Sequence, residues 1–309
     1  MCAGEATPTV AVVLDTSGEV SCAVADCELV ERMVDEAWID SHQNRLEKAA
    51  VVVLDGNLRP SALRAAAAAA RNGSGKKRKK TPLLWFEPVS VAKSTRAMQG
   101  GILGVTDVVS PNLQELIAMA SAARGDDEHE HENETDLPAS SKETPSPNVA
   151  AVEIARCHRK DIDTLLTAGV GNVVLTLGAR GAVLCRRVIG GFPTQMRDAI
   201  GGQRQTRDAT GGQTLTRPQT QNAFSCTYVP AFPATHVRSL VGAGDALVAG
   251  CVVALASGCG MELALAIGTG AAHAAVETNN NVPHGPGVSF AALKRDARGV
   301  AFETSTVWV

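Results

Sequence analysis

Apolar residues alternate at Val10, Val12 and Leu14, give way to Asp15-Thr16-Ser17-Gly18, and resume through Val20, Cys22 and Val24. Period-two alternation on both sides of a polar, Gly-bearing break predicts a β-hairpin. Further along, the pattern turns from alternating to continuous, at Val51-Val52-Val53-Leu54, Leu83-Leu84-Trp85-Phe86, Asp107-Val108-Val109 and Val173-Val174-Leu175-Thr176. Continuous runs mark strands covered on both faces, and the Ala-rich segments between them, Ser61 to Arg71 and Leu113 to Ala123 among them, supply covering helices. The expectation is an α/β fold, a mostly parallel sheet with helices on both faces. A partial β lid over residues 1–30 precedes a main domain over 31–309. The apolar stretch Leu247 to Val276 is divided by Ser257-Gly260 and carries Glu262 and His273, so it reads as two buried helices rather than a membrane span.

Three polar stretches interrupt this pattern, at 72–80, 125–147 and 194–220, and all three are expected to be disordered insertions. Asn72 to Lys80 is a basic run, read as a solvated connector ahead of a polyanion or nuclear-import patch. Gly125 to Pro147 is acidic and rich in Pro and Ser; its His129-Glu130-His131-Glu132 run lacks a rigid element to fix metal-ligand geometry. Within Arg197 to Arg217, Arg197-Asp198-Ala199-Ile200-Gly201-Gly202-Gln203 is echoed by Arg207-Asp208-Ala209-Thr210-Gly211-Gly212-Gln213, too short a repeat for a solenoid.

Composition narrows the function classes. With 309 residues and 45% hydrophobic content the chain can bury a sizeable core. The 29 basic against 32 acidic residues leave a net charge of -3, which calls for neither nucleic acid nor an anionic membrane and suits a small substrate. The eight cysteines form no Cys-x-x-Cys pair, so they read as reduced packing residues of a cytoplasmic protein. No basic-then-apolar segment opens the chain, so export is not expected.

Three motifs carry chemistry. Val241-Gly242-Ala243-Gly244-Asp245 stands directly before a long Ala/Val helix. Small residues there free backbone N–H groups to converge where the helix dipole is positive, a site for charge on a transferring phosphoryl group. Asp245 beside it can take the proton of an attacking hydroxyl, or can simply cap the helix. Ser110-Pro111-Asn112-Leu113-Gln114-Glu115 places Asn112 and Glu115 three apart on one helix face, able to hold water of a Mg²⁺ ion or to act as a helix-start device. Leu175-Thr176-Leu177-Gly178-Ala179-Arg180-Gly181 reads as two strands about a Gly-bounded turn, where Thr176 and open backbone can meet a triphosphate. Asn57 and Glu87 stand at strand carboxyl ends, where open α/β sheets bind ligands. Asn57 can read a ribose or base edge or stabilise a turn; Glu87 can join the Mg²⁺ water network or be a solvated residue before Pro88.

In this order and separation the three motifs resemble the ribokinase (PfkB) family of carbohydrate and nucleoside kinases. That resemblance implies a ribokinase-like fold, with ATP and Mg²⁺. It implies Asn112, Thr176, Gly178 and Gly181 at the nucleotide, Asn112, Glu115 and Glu87 at the metal, and Gly242, Ala243 and Gly244 as an anion hole beside the base Asp245. Within the family, Val13-Leu14-Asp15 to Gly18-Glu19, Ala23-Val24-Ala25-Asp26, Val53-Leu54-Asp55-Gly56-Asn57-Leu58 and Phe86-Glu87-Pro88-Val89-Ser90-Val91-Ala92-Lys93 are most similar to pseudouridine kinases. The implied activity is γ-phosphate transfer to the 5′-hydroxyl of pseudouridine, with Asn57 and Asp245 toward the acceptor and a homodimer as a compatible assembly. Another nucleoside or sugar acceptor, or a truncated nucleotide-binding paralogue without turnover, stay open as alternatives. Family members open with a strand, a substrate-contacting Asp and a Gly-Gly motif ahead of the lid hairpin, and here the chain begins at the hairpin. Ser239-Leu240-Val241 replaces the Asp-Thr-x or Asn-Val-x that supports a monovalent cation, and Gly268 stands near where an adenine-facing Asn or His is common.

Overall fold

A computed structural model of the chain describes residues 7–15, 20–26, 28–72, 81–126, 147–187, 223–278, 280, 282–283, 288–300 and 302–308. The expected insertions at 72–80, 125–147 and 194–220 lie outside these residues, apart from Asn72, Gly125, Asp126 and Pro147 at their ends.

The alternating segments form the expected hairpin. Strand β1 (Thr9–Leu14) pairs antiparallel with β2 (Val20–Asp26), Val10 opposite Ala25 and Val12 opposite Ala23, as a two-stranded sheet of its own. Three short helices, α1 (Glu28–Met33), α2 (Glu36–Ser41) and α3 (Gln43–Lys48), lead to the main sheet. Its first half alternates β3 (Val51–Asp55), α4 (Pro60–Asn72), β4 (Leu83–Glu87), α5 (Val91–Ser94), α6 (Arg96–Gln99), β5 (Val108–Val109), α7 (Leu113–Arg124), α8 (Pro147–Cys157), α9 (Arg159–Thr167) and β6 (Asn172–Thr176). The second half runs β7 (Ala182–Arg187), β8 (Ala223–Val229), α10 (Ala243–Ala256), α11 (Met261–Val276), α12 (Phe290–Ala297) and β9 (Glu303–Trp308).

All seven strands lie in chain order, β3 to β6 parallel and β7, β8 and β9 each antiparallel to its predecessor, so five of the seven point one way. Each parallel step moves one place in the same direction, and right-handed crossovers therefore send every intervening helix to the same face. Residues of α4, α6, α7, α8 and α9 build the core there; α10, α11 and α12, between β8 and β9, build the core on the other. Strand β4 serves both. Its fully buried Leu84 and Phe86 enter the first core, and Trp85, also fully buried, enters the second with Leu247, Val248 and Cys251 of α10.

Among the described residues no helix is long and apolar enough to cross a membrane, and Leu247 to Val276 falls into α10 and α11 as expected. These two helices touch through glycines. A Cβ at Gly250 would lie 2.9 Å from the Gly268 Cα, and one at Gly268 would lie 2.5 Å from Cys251 Sγ. Position 268, expected near an adenine-facing side chain, is instead buried in a helix crossing that leaves a side chain no room.

Candidate active site

The carboxyl ends of β4, β5 and β6 meet the first turns of α7 and α10 around a cavity of about 130 Å³. Glu87, Ser110, Asn112, Glu115, Thr176 and Gly244 line it. Five of these six are residues singled out by sequence; Ser110 carried no assigned role.

Asn112 caps α7 in extended conformation. Its Oδ1 accepts the Glu115 N–H at 2.9 Å, and Glu115 Oε2 accepts the Asn112 N–H at 2.9 Å, a complete capping box. Both residues of the box also line the cavity, so the helix-start device and the polar lining are one structure. Burial raises the Glu115 pKa. Thr176 directs its N–H, at 2.9 Å, and its hydroxyl, at 3.3 Å, to the Pro111 carbonyl, tying β6 to the start of α7.

Glu87 is the most perturbed carboxyl of the site, its pKa pushed up to about 7 by burial above all, with the negative charges of Glu115 and Asp245 adding to it. Hydrogen bonds from the Ser110 hydroxyl and the Val89 N–H oppose the rise without cancelling it. Ser110 in turn accepts from the Trp85 indole Nε1 at 2.6 Å. Sequence reading missed this relay, because Trp85 and Ser110 meet only through the pairing of β4 with β5.

Gly242 caps α10 with φ 79°, and a Cβ at Gly242 or Gly244 would meet nothing within 4 Å, so both glycines open on free space. The Ala243 amide departs from the expected anion hole. It turns back to the Leu240 carbonyl at 3.3 Å, closing the turn into the helix, which leaves the Gly242 and Gly244 amides without a backbone partner among the described residues. Asp245 is exposed at the third helical position. The cap is Gly242, so the capping role weighed for Asp245 falls away. Asp245 borders a second, larger cavity of about 370 Å³ walled mainly by apolar residues including Ala249, Val253, Ile267, Phe290 and Leu293.

The turn after β6 has glycines of two kinds. Gly181, at φ 88°, sits where a Cβ would come 2.3 Å from the Val229 carbonyl oxygen, so packing against β8 demands it. Gly178, at φ 57°, faces open space. Asn57 lines neither cavity: its Oδ1 accepts from Lys93 Nζ at 2.7 Å. Arg96 Nη1 holds the same loop through the Gly56 and Asn57 carbonyls at 3.1 and 3.0 Å, while Nη2 reaches Glu31 at 2.8 Å. Lys93 meets Asn57 across 36 positions, a contact that no local pattern in the sequence marks. The segment before α10 is tied down by Val241 N–H to Ser239 Oγ at 3.1 Å and Arg238 N–H to the Val276 carbonyl at 2.7 Å.

Among the described residues no cluster of three or more His, Cys, Asp or Glu side chains is placed to hold a metal ion unaided. Glu87, Glu115 and Asn112 offer hard oxygens around a cavity whose buried carboxyls repel one another. That donor set fits Mg²⁺, which keeps much of its shell as water and substrate phosphate.

Residues 223–283 match the pfkB family carbohydrate kinase model, a span that runs from β8 through α10 and α11. Over 289 residues the chain is 34% identical to a pseudouridine kinase of Arabidopsis thaliana, covering 90% of this chain and 70% of that one. It is similar in fold to Arabidopsis thaliana ribokinase complexed with ribose and ATP, with a TM-score of 0.54 at 18% identity over 96% of this chain and 70% of the other. Giardia lamblia ribokinase is similar at a TM-score of 0.56 and 14% identity, over 96% and 72% of the two chains. Motif, sequence relative and fold agree, and the chain belongs to the pfkB family of carbohydrate kinases.

Proposed function

We propose that the chain transfers the γ-phosphate of ATP to the 5′-hydroxyl of pseudouridine, in the presence of Mg²⁺. The observation that carries this reading is the convergence of Glu87, Asn112, Glu115, Thr176 and the α10 amino terminus on one small polar cavity, with Asp245 on the other side of that helix turn. The apolar cavity beside Asp245 takes the adenine, and the Gly242 and Gly244 amides receive the transferring phosphoryl group where the helix dipole is positive. Gly178 lets the turn after β6 approach the phosphates. Asp245, whose carboxylate accepts no hydrogen bond from the described residues, takes the proton of the acceptor hydroxyl as it attacks in line. Mg²⁺, when bound, neutralises phosphate charge; Glu87, Glu115 and Asn112 hold its water. On this reading Asn57 would contact the acceptor from the loop that Lys93 and Arg96 hold, and the β1–β2 hairpin would serve as a partial lid. Pseudouridine is chosen over other nucleosides and sugars on the 34% identical relative.

A nucleotide binder without turnover is the second reading, favoured by one observation: Asn57 lines neither cavity. A phosphoryl-acceptor screen with MgATP and pseudouridine, uridine, adenosine or ribose separates these. Product with pseudouridine at the highest kcat/KM is the expected result. A better acceptor among the other three would replace the substrate, and ATP binding without product from any would establish the second reading.

A further inference from the structure

We propose that Ser110, oriented by Trp85, and the strained peptide at Val89 are positioning elements that hold the Glu87 carboxyl at the cavity, an inference that rests on the phosphoryl-transfer reading above. The direction of the relay follows from donor chemistry. An indole N–H can only donate, so the 2.6 Å bond from Trp85 Nε1 occupies a lone pair of Ser110 Oγ. The hydroxyl has a single hydrogen left, and it goes to Glu87 Oε2. Ser110 is 4% exposed and Trp85 fully buried, so the bond between them is shielded from bulk water. Ser110 thus engages one oxygen of the Glu87 carboxyl.

A second observation points to the same carboxyl. Val89 has φ 70°, the only non-glycine at positive φ among the described residues, and it is β-branched, the residue class that resists this conformation most. It stands at the centre of a three-residue turn closed by Ser90 N–H to the Pro88 carbonyl at 2.9 Å, and its own N–H is directed to the Glu87 carboxyl. Unrelieved strain next to a site residue is retained where it aims a group. Two devices, the Ser110 hydroxyl and the Val89 N–H, thus bear on one side chain.

The test is the Mg²⁺ dependence of ATP binding, measured by calorimetry, alongside melting temperature and the split of kcat from KM. Ser110→Ala should raise the Mg²⁺ concentration needed for half-maximal ATP binding by about tenfold, in line with loss of a hydrogen bond to a metal-shell carboxylate, and Ser110→Thr should restore it. Val89→Gly takes the same positive φ without strain and keeps its N–H, so it should melt no earlier than wild type and keep the wild-type Mg²⁺ dependence, whereas Val89→Pro, which has no N–H and cannot take positive φ, should show the Ser110→Ala weakening. Wild-type Mg²⁺ dependence in folded Ser110→Ala or in folded Val89→Pro overturns the inference alone. Absence of any Mg²⁺-dependent ATP binding in the wild-type chain overturns the phosphoryl-transfer reading and this inference with it.

Discussion

Glu87 shows how a single residue trades stability for a site. Its carboxyl is ordinary in the unfolded chain, near 4.5, and rises to about 7 on folding because burial disfavours the charge. Between these values the unfolded chain ionises while the folded chain keeps its proton, so stability is full below pH 4.5 and falls as pH rises through 7. The difference is on the order of 3 kcal/mol. Gln has the shape of the protonated acid and still accepts from Ser110, so Glu87→Gln should be more stable than wild type at pH 8 by up to that amount, and about equal at pH 4.5. Chemical denaturation at the two pH values, in chelator and without nucleotide, checks this; equal stability at both would mean that the buried charge is compensated. The partners of Glu87 were not legible in sequence. Ser110 and Trp85 are 25 positions apart, and nothing in an apolar run says which member will need a hydroxyl. Asn112 and Glu115, three residues apart on one helix, were legible because their contact is local.

At the scale of elements, what could be read was whatever period and punctuation report. The hairpin followed from alternation, β3, β4 and β6 from continuous apolar runs, and the α10–α11 break from Ser257-Gly260. The antiparallel half from β7 to β9 was legible only at its β6–β7 turn, because strand direction beyond a turn depends on tertiary pairing. Glycines likewise divide by surroundings that sequence does not reveal. Gly268→Ala places a methyl against Cys251 and the Leu247 carbonyl, and should cost about 1 to 3 kcal/mol of stability through overpacking. Gly244→Ala puts its methyl into open space at the cavity wall, and Ala favours a helix over Gly by up to about 1 kcal/mol. It should therefore melt at or above wild type while, on the proposed function, ATP affinity falls, since the methyl would obstruct the phosphate oxygens. Thermal melts and ATP titrations of the two variants should show opposite patterns; a Gly244→Ala protein with unchanged ATP affinity removes that amide from the site.

Across the whole molecule, the first turn of α10 separates a polar cavity rich in carboxyls from an apolar one, and Asp245 stands on that turn. Two compartments with a donor-rich helix end between them suit a nucleotide whose base and phosphates need opposite surroundings. The measurement that bears most directly on this account is single-turnover phosphate transfer from MgATP to pseudouridine by wild type and Asp245→Asn, with ATP affinity and melting temperature taken on the same samples. Asn keeps the shape of the side chain but cannot accept the hydroxyl proton, so the rate should fall by roughly 10²- to 10⁴-fold while ATP affinity and melting temperature stay near wild type. An Asp245→Asn protein that transfers phosphate at the wild-type rate would contradict the assignment of the base.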